Sequence, residues 1–188
     1  MVLEYLPRRL LSIVKDFPAG VPEDYAKILM FQLLNGLKEL HSHEIVHRDV
    51  KPEKILLDAS DVHVKLGGFG LARRAEGEMT PHVTTSWYRA PEVICEQADY
   101  GCPIDIWGAG LVMAELLDGK PLLPGDSESC ILSLIQTIIG PLDEEQKQFI
   151  QRMKIQAWVV SIQVWIEIVL KVILWILKVN SKIDSERH

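Results

Sequence analysis

Cysteine is scarce in this sequence. Its three thiols, Cys95, Cys102 and Cys130, are scattered and form no CxxC pair. That spacing argues against a structural zinc site or a disulfide framework and for a reducing cytoplasmic or nuclear setting. Positive charge is also short. Twenty Lys and Arg face 26 Asp and Glu, for a net charge of −6. A nucleic-acid binder ordinarily shows the opposite excess, so no nucleic-acid partner is expected. The opening "MVLEYLPRRLL" has no long apolar run of the kind a signal peptide needs. No internal repeat is visible.

What is present suits one domain: 188 residues, 48% of them apolar, enough to bury a core. Composition shifts near the end. Residues 157–179, "AWVVSIQVWIEIVLKVILWILKV", hold three of the five tryptophans and only three charges. Residues 180–188 are polar and read as a fraying tail. Val2–Tyr5 is a short apolar piece. Residues 22–43 read as a helix, with Pro22 in the first turn and Glu23 and Asp24 at its positive end. Ile28, Phe31, Leu34, Leu37 and Leu40 recur at helical period and are expected to face the core. "IVHRDVKPEKILL" reads as strand, loop, strand, and "HVKL" as a further strand. Residues 67–87 form a long irregular segment. "DIWGAGLVMAELLDG" is a helix with Gly119 as C-cap. "SESCILSLIQTIIG" is a second, capped by Ser127 or Ser129 and ended by Gly140.

The segment with the most chemistry is "HRDVKPEKILL", residues 47–57. It closely resembles the catalytic loop of protein kinases, H-R-D-x-x-x-x-N. Further matches follow in order: "GFG" at 68–70, "WYRAPE" at 87–92 and "DIWGAG" at 105–110. "PLLPGDSE" and "IGPLDEEQKQF" are similar to segments of the cyclin-dependent-kinase-like branch. The chain is therefore identified as a member of the serine/threonine type of the protein kinase superfamily, in that branch. The resemblance implies ATP and magnesium as cofactors and a protein as substrate or partner. It assigns Asp49 as the base that orients the substrate hydroxyl, Lys51 as the cation beside the transferring phosphoryl group, and Arg48 as the link to the activation segment. Thr85 would hydrogen-bond near the catalytic aspartate. Val2, Leu3, Glu4 and Tyr5, as the hinge, would hold adenine together with Leu56. His47, Phe69, Glu92 and Asp105 would be structural, with Asp105 holding the catalytic loop's backbone from the following helix. Thr80 is the candidate phosphosite, with His82 where the branch has tyrosine.

The departures fall on chemistry. Lys54 stands where the family has an asparagine, and Gly68 where it has the aspartate before Phe-Gly. Both are magnesium positions in the family. A charged ammonium has no lone pair to offer a cation, and glycine has no side chain to offer. No metal ligand is therefore assigned, and magnesium-dependent transfer is expected to be impaired or lost. Ser86 also replaces the arginine that usually precedes "WYRAPE".

No GxGxxG loop precedes these motifs, and the resemblance is followed only to about residue 152. The expected fold is α+β, mostly α: a protein-kinase-like C-terminal lobe lacking the N-terminal lobe, truncated, over residues 1–152. An extra apolar helix follows at 153–179, then the polar tail. Three readings of that helix stay open. It packs over an unfinished lobe, it lies on a membrane, or it is sequence of no selected function. The charges of Glu167 and Lys171 disfavour a clean membrane span. Two functional alternatives accompany the kinase reading: a pseudokinase-like binding or scaffold fragment, and a membrane-associated fragment held by 157–179.

Overall fold

The computed structural model describes residues 4–75, 86–94 and 100–139. The first strand, β1 (Arg8–Arg9), leads into the short helix α1 (Leu10–Asp16), which buries Leu10, Ile13 and Val14. The long helix α2 (Glu23–Ser42) follows Pro22, whose extended backbone sets the entry. Glu23 and Asp24 sit in its first turn, where the helix dipole favours acids, and both pair with Lys27.

The buried face of α2 is Ala26, Leu29, Met30, Leu33 and Leu37. The expected face was Ile28, Phe31, Leu34, Leu37 and Leu40, and only Leu37 of that set is fully buried. Ile28 is 49% and Phe31 68% exposed. The helix is apolar on two neighbouring stripes, and period alone does not say which stripe meets the core. The buried stripe belongs to the helix that packs against α4 (Pro103–Asp118).

After α2 come β2 (Ile45–Val46), a 3-10 turn at Pro52–Lys54, β3 (Ile55–Leu57), β4 (Val64–Leu66) and β5 (Arg73–Arg74). They form two antiparallel sheets, one ordered β1-β3-β4 and the other β2-β5. Arg8 lies opposite Leu57, Ile55 opposite Leu66, and Ile45 opposite Arg74. Ile55 and Leu57 point inward and are fully buried, while Leu56 between them is half-buried, the alternation of a strand with one core face.

This architecture corrects the expectation of a mostly helical C-terminal lobe lacking the N-terminal lobe. The fold is mixed α+β, with sheets standing beside the helices. The strands are two or three residues long, and the partners of β1 and β5 lie far away in sequence, so no local alternation announces those pairings. The expected extra C-terminal helix at 153–179 and the tail lie outside the described residues, as does Gly140.

Helices α3 (Pro91–Ile94), α4 and α5 (Glu128–Ile139) complete the order. Helix α4 is buried along most of its length, from Ile104 and Trp107 to Leu116, and packs on α2. Gly108 faces the segment after Arg48 so closely that a Cβ there would stand 2.8 Å from the Val50 carbonyl oxygen. Gly119, at φ 73°, ends α4 and donates its N–H to the Glu115 carbonyl, as the sequence led one to expect. Ser127 caps α5 by accepting the Cys130 N–H at 3.2 Å.

Candidate active site

The site is built on the turn between β2 and β3, and its hub is a carboxylate from another element. Asp105, in the first turn of α4, is 1% exposed. Its Oδ2 accepts the His47 backbone N–H at 2.7 Å, and its Oδ1 accepts the Arg48 N–H at 2.8 Å. His41, at the end of α2, bonds Oδ2 through Nε2 at 2.8 Å. A buried carboxylate is tolerable only when its oxygens are satisfied in this way. Arg48 stands at φ 72°, a region that costs a non-glycine residue about 1–3 kcal/mol. The bond from its N–H to Asp105 holds it there, and its guanidinium lies 5.7 Å from the centroid of the Tyr100 ring.

His47 is fully buried, and burial pushes its imidazole below the usual histidine range, so it is neutral. Nε2 donates to the Gly67 carbonyl at 2.9 Å, which leaves Nδ1 to accept the Asp49 N–H at 3.3 Å. The Phe69 ring meets it edge-on at 5.1 Å. One neutral ring thus ties the segment carrying Asp49 to the segment carrying Gly68.

Around Asp49 the side chains converge. Its carboxylate is 7% exposed, with Lys51 Nζ 2.8 Å from Oδ1 and Lys54 Nζ 3.5 Å from Oδ2. The Lys54 backbone is fixed twice: its N–H donates to the Lys51 carbonyl at 2.9 Å, and its own carbonyl accepts the Gly67 N–H at 2.8 Å. Gly68 follows, in the left-handed region at φ 81°. A Cβ at Gly68 would stand 2.5 Å from Lys54 Cδ and 3.3 Å from Lys54 Nζ. The stem of Lys54 therefore runs through the space a side chain at position 68 would take. The two positions that depart from the family pattern touch each other.

The other expected site residues fall as follows. Glu4 forms an ion pair with Lys65, and Tyr5 is 85% exposed. Leu56 lies over Gly67, where a Cβ would meet its Cδ1 at 2.8 Å. Glu92 is buried in α3. Val2, Leu3, Thr80 and Thr85 lie outside the described residues. Among the described residues, no cluster of three or more histidine, cysteine, aspartate or glutamate side chains is placed to hold a metal ion. No described helix is long and apolar enough to cross a membrane.

Sequence reasoning missed His41 and the buried pair formed by Tyr88 and Glu115, in which the hydroxyl donates to Oε2 at 2.6 Å. Burial raises both groups of that pair, and the bond to the carboxylate raises the tyrosine further. His41 stands in the last turn of a helix that reads simply as amphipathic, and nothing nearby in sequence singles it out. Trp87 Nε1 donates to the Gly125 carbonyl at 2.9 Å and Arg89 pairs with Glu128, joining the "WYRAPE" segment to the "PGDSE" loop and α5.

The sequence pattern of the protein kinase domain matches residues 1–182. The chain belongs to the protein kinase family. A kinase match of that extent corrects two expectations, that the resemblance stops near residue 152 and that the chain is a truncated C-terminal lobe. Short motifs carried the earlier reading and are sparse beyond residue 150, whereas the family pattern weighs every position. Curated relatives include cyclin-dependent kinase-like 5 of Mus musculus, 42% identical over 150 residues, covering 78% of this chain and 16% of the relative. Cyclin-dependent kinase-like 2 of Oryctolagus cuniculus is 43% identical over 145 residues, 76% of this chain and 25% of the relative. Mitogen-activated protein kinase 3 of Oryza sativa subsp. japonica is 41% identical over 165 residues, 86% and 44%. The chain thus spans less than half the length of these kinases.

Proposed function

We propose that this kinase-family chain retains the frame of a serine/threonine phosphoryl-transfer site but is impaired in magnesium-dependent transfer. The observation that carries the reading is Lys54 lying over Gly68 beside Asp49. Family membership associates the site with ATP and magnesium, and a protein is the corresponding substrate class. Asp49 is the group for the substrate hydroxyl, and Lys51, 2.8 Å away, is the cation for the transferring phosphoryl. Arg48 belongs with the activation segment, Thr80 is its candidate phosphosite, and Val2–Tyr5 with Leu56 are the adenine side.

The residues at the two metal positions do not fit magnesium. Magnesium demands oxygen ligands in near-octahedral order. Lys54 offers none and repels the ion, and Gly68 has no side chain. The Lys54 ammonium, 3.5 Å from Oδ2, also offsets part of the negative charge with which Asp49 would draw the substrate proton.

A second reading, a binding module of pseudokinase kind, draws support from the intact Asp105 frame beneath the altered mouth. The test is phosphate transfer from ATP to a generic basic protein in the presence of magnesium. Kinases ordinarily turn over at about 1–100 per second. The expected rate here is lower by a factor of about 1000 or more. Transfer at an ordinary kinase rate would sink the proposal.

A further inference from the structure

Lys54 does more than delete a ligand. Lys51 and Lys54 flank a single carboxylate, so the cluster of two ammonium groups and Asp49 carries a net positive charge without any metal. Neutral His47 leaves that balance unchanged. Lys51 is held at 2.8 Å and nearly buried, whereas Lys54 stands at 3.5 Å from the carboxylate with a third of its side chain exposed. The longer distance exceeds the 2.7–2.9 Å of a strong charge-assisted bond. The Lys54 ammonium is thus at the mouth, loosely committed to Asp49, on a stem seated by Gly68. Gly68, over which the stem runs, is itself exposed, so the mouth is open on that side.

We propose that the Lys51–Asp49–Lys54 cluster binds the phosphate chain of a nucleoside triphosphate without a divalent cation, with the Lys54 ammonium supplying the neutralising charge. The inference rests on the reading of the site as one that lost its metal positions, and it deepens that reading. The attraction between opposite charges grows with the product of the charges. A polyphosphate, which carries several negative charges, is therefore a stronger partner for Lys54 than the single, already paired Asp49. Magnesium bound to the phosphates would cancel part of the charge that Lys54 recognises. It would also bring a cation up against an ammonium. Binding should accordingly be as tight or tighter when magnesium is removed.

The experiment is calorimetric titration of the full chain with ATP, in EDTA and in excess magnesium, with inorganic tripolyphosphate as competitor. We expect saturable binding in EDTA that magnesium does not tighten and that tripolyphosphate displaces. Lys54→Met keeps an unbranched stem over Gly68 and removes the charge. It should weaken binding in EDTA at least tenfold, while Lys54→Arg keeps most of it. Thermal melts without ligand show whether each variant is folded, and Lys54→Gln replaces Lys54→Met if that variant is not. Binding that needs magnesium, binding unchanged by loss of the Lys54 charge, or no binding at all would each overturn the proposal. These failures leave the reading of impaired transfer standing. Magnesium-dependent transfer at kinase rates would instead remove the reading beneath it.

Discussion

The seat of the loop at residues 47–54 and its mouth differ in kind. At the seat, Asp105 is buried and meets two backbone N–H groups and His41, and His47 bridges Gly67 to Asp49. At the mouth, Lys54 and Gly68 have departed from the family pattern, and the stem of one fills the space beside the other. The frame answers to burial, since each of its polar groups would be costly if left without a partner. The mouth carries the two residues on which the proposed loss of magnesium-dependent transfer rests. Under the proposed function, membership of the kinase family and kinase chemistry would part company at residues that touch each other.

The sharpest way to break the comparison is Asp105→Ala. It leaves two backbone N–H groups and His41 without their acceptor and should cost about 3–5 kcal/mol, read by urea denaturation. A cost under 1 kcal/mol would mean that the seat is not the frame described. Gly108→Ala comes next. The new Cβ presses on the Val50 carbonyl, and overpacking there should cost about 1–3 kcal/mol by the same measurement.

A cycle at the mouth sharpens the contrast. Gly68→Ala should cost about 1–2 kcal/mol, from the left-handed backbone and from the Lys54 stem. In a Lys54→Ala background the steric part disappears, so a coupling of about 0.5–1 kcal/mol should remain in the cycle. Additive effects would show that the two positions do not share space.

The seat also has a pH signature. The folded His47 imidazole lies below its ordinary value of 6.5. Above that pH both folded and unfolded chains hold it neutral. Below it the unfolded chain takes up a proton that the folded chain refuses, so stability falls as pH drops from 6.5 towards the lowered folded value. Urea midpoints measured from pH 7.5 to 5.5 should decline, and His47→Gln should flatten the decline. The smallest effect belongs to the far surface: Lys27→Ala, which removes pairs with Glu23 and Asp24, should cost under about 1 kcal/mol.

Much of the seat was legible in sequence because its motifs are contiguous. "HRDVKPEK" and "DIWGAG" announce themselves, and Asp105 was placed against the loop through resemblance to kinases. Helices α4 and α5 and their caps were legible because Gly119 and Ser127 carry local backbone chemistry. The face of α2 was not, since two apolar stripes compete on it. Strands β2, β3 and β4 were legible, but β1 and β5 were not, because they owe their existence to partners dozens of residues away. At the mouth the two departures were visible, but their contact was not. It depends on the 3-10 turn at Pro52–Lys54 and on the bond from Gly67 N–H to the Lys54 carbonyl, neither of which leaves a pattern in the chain.

The most direct test of a coupled loss at 54 and 68 is divalent-ion binding in the presence of ADP. It is measured by the electron-spin resonance of manganese, for the native chain and for Lys54→Asn with Gly68→Asp. The native chain should show no saturable site, and the double variant, with side-chain oxygens at both positions, should show one. A native chain that binds manganese as tightly as the double variant would contradict the account.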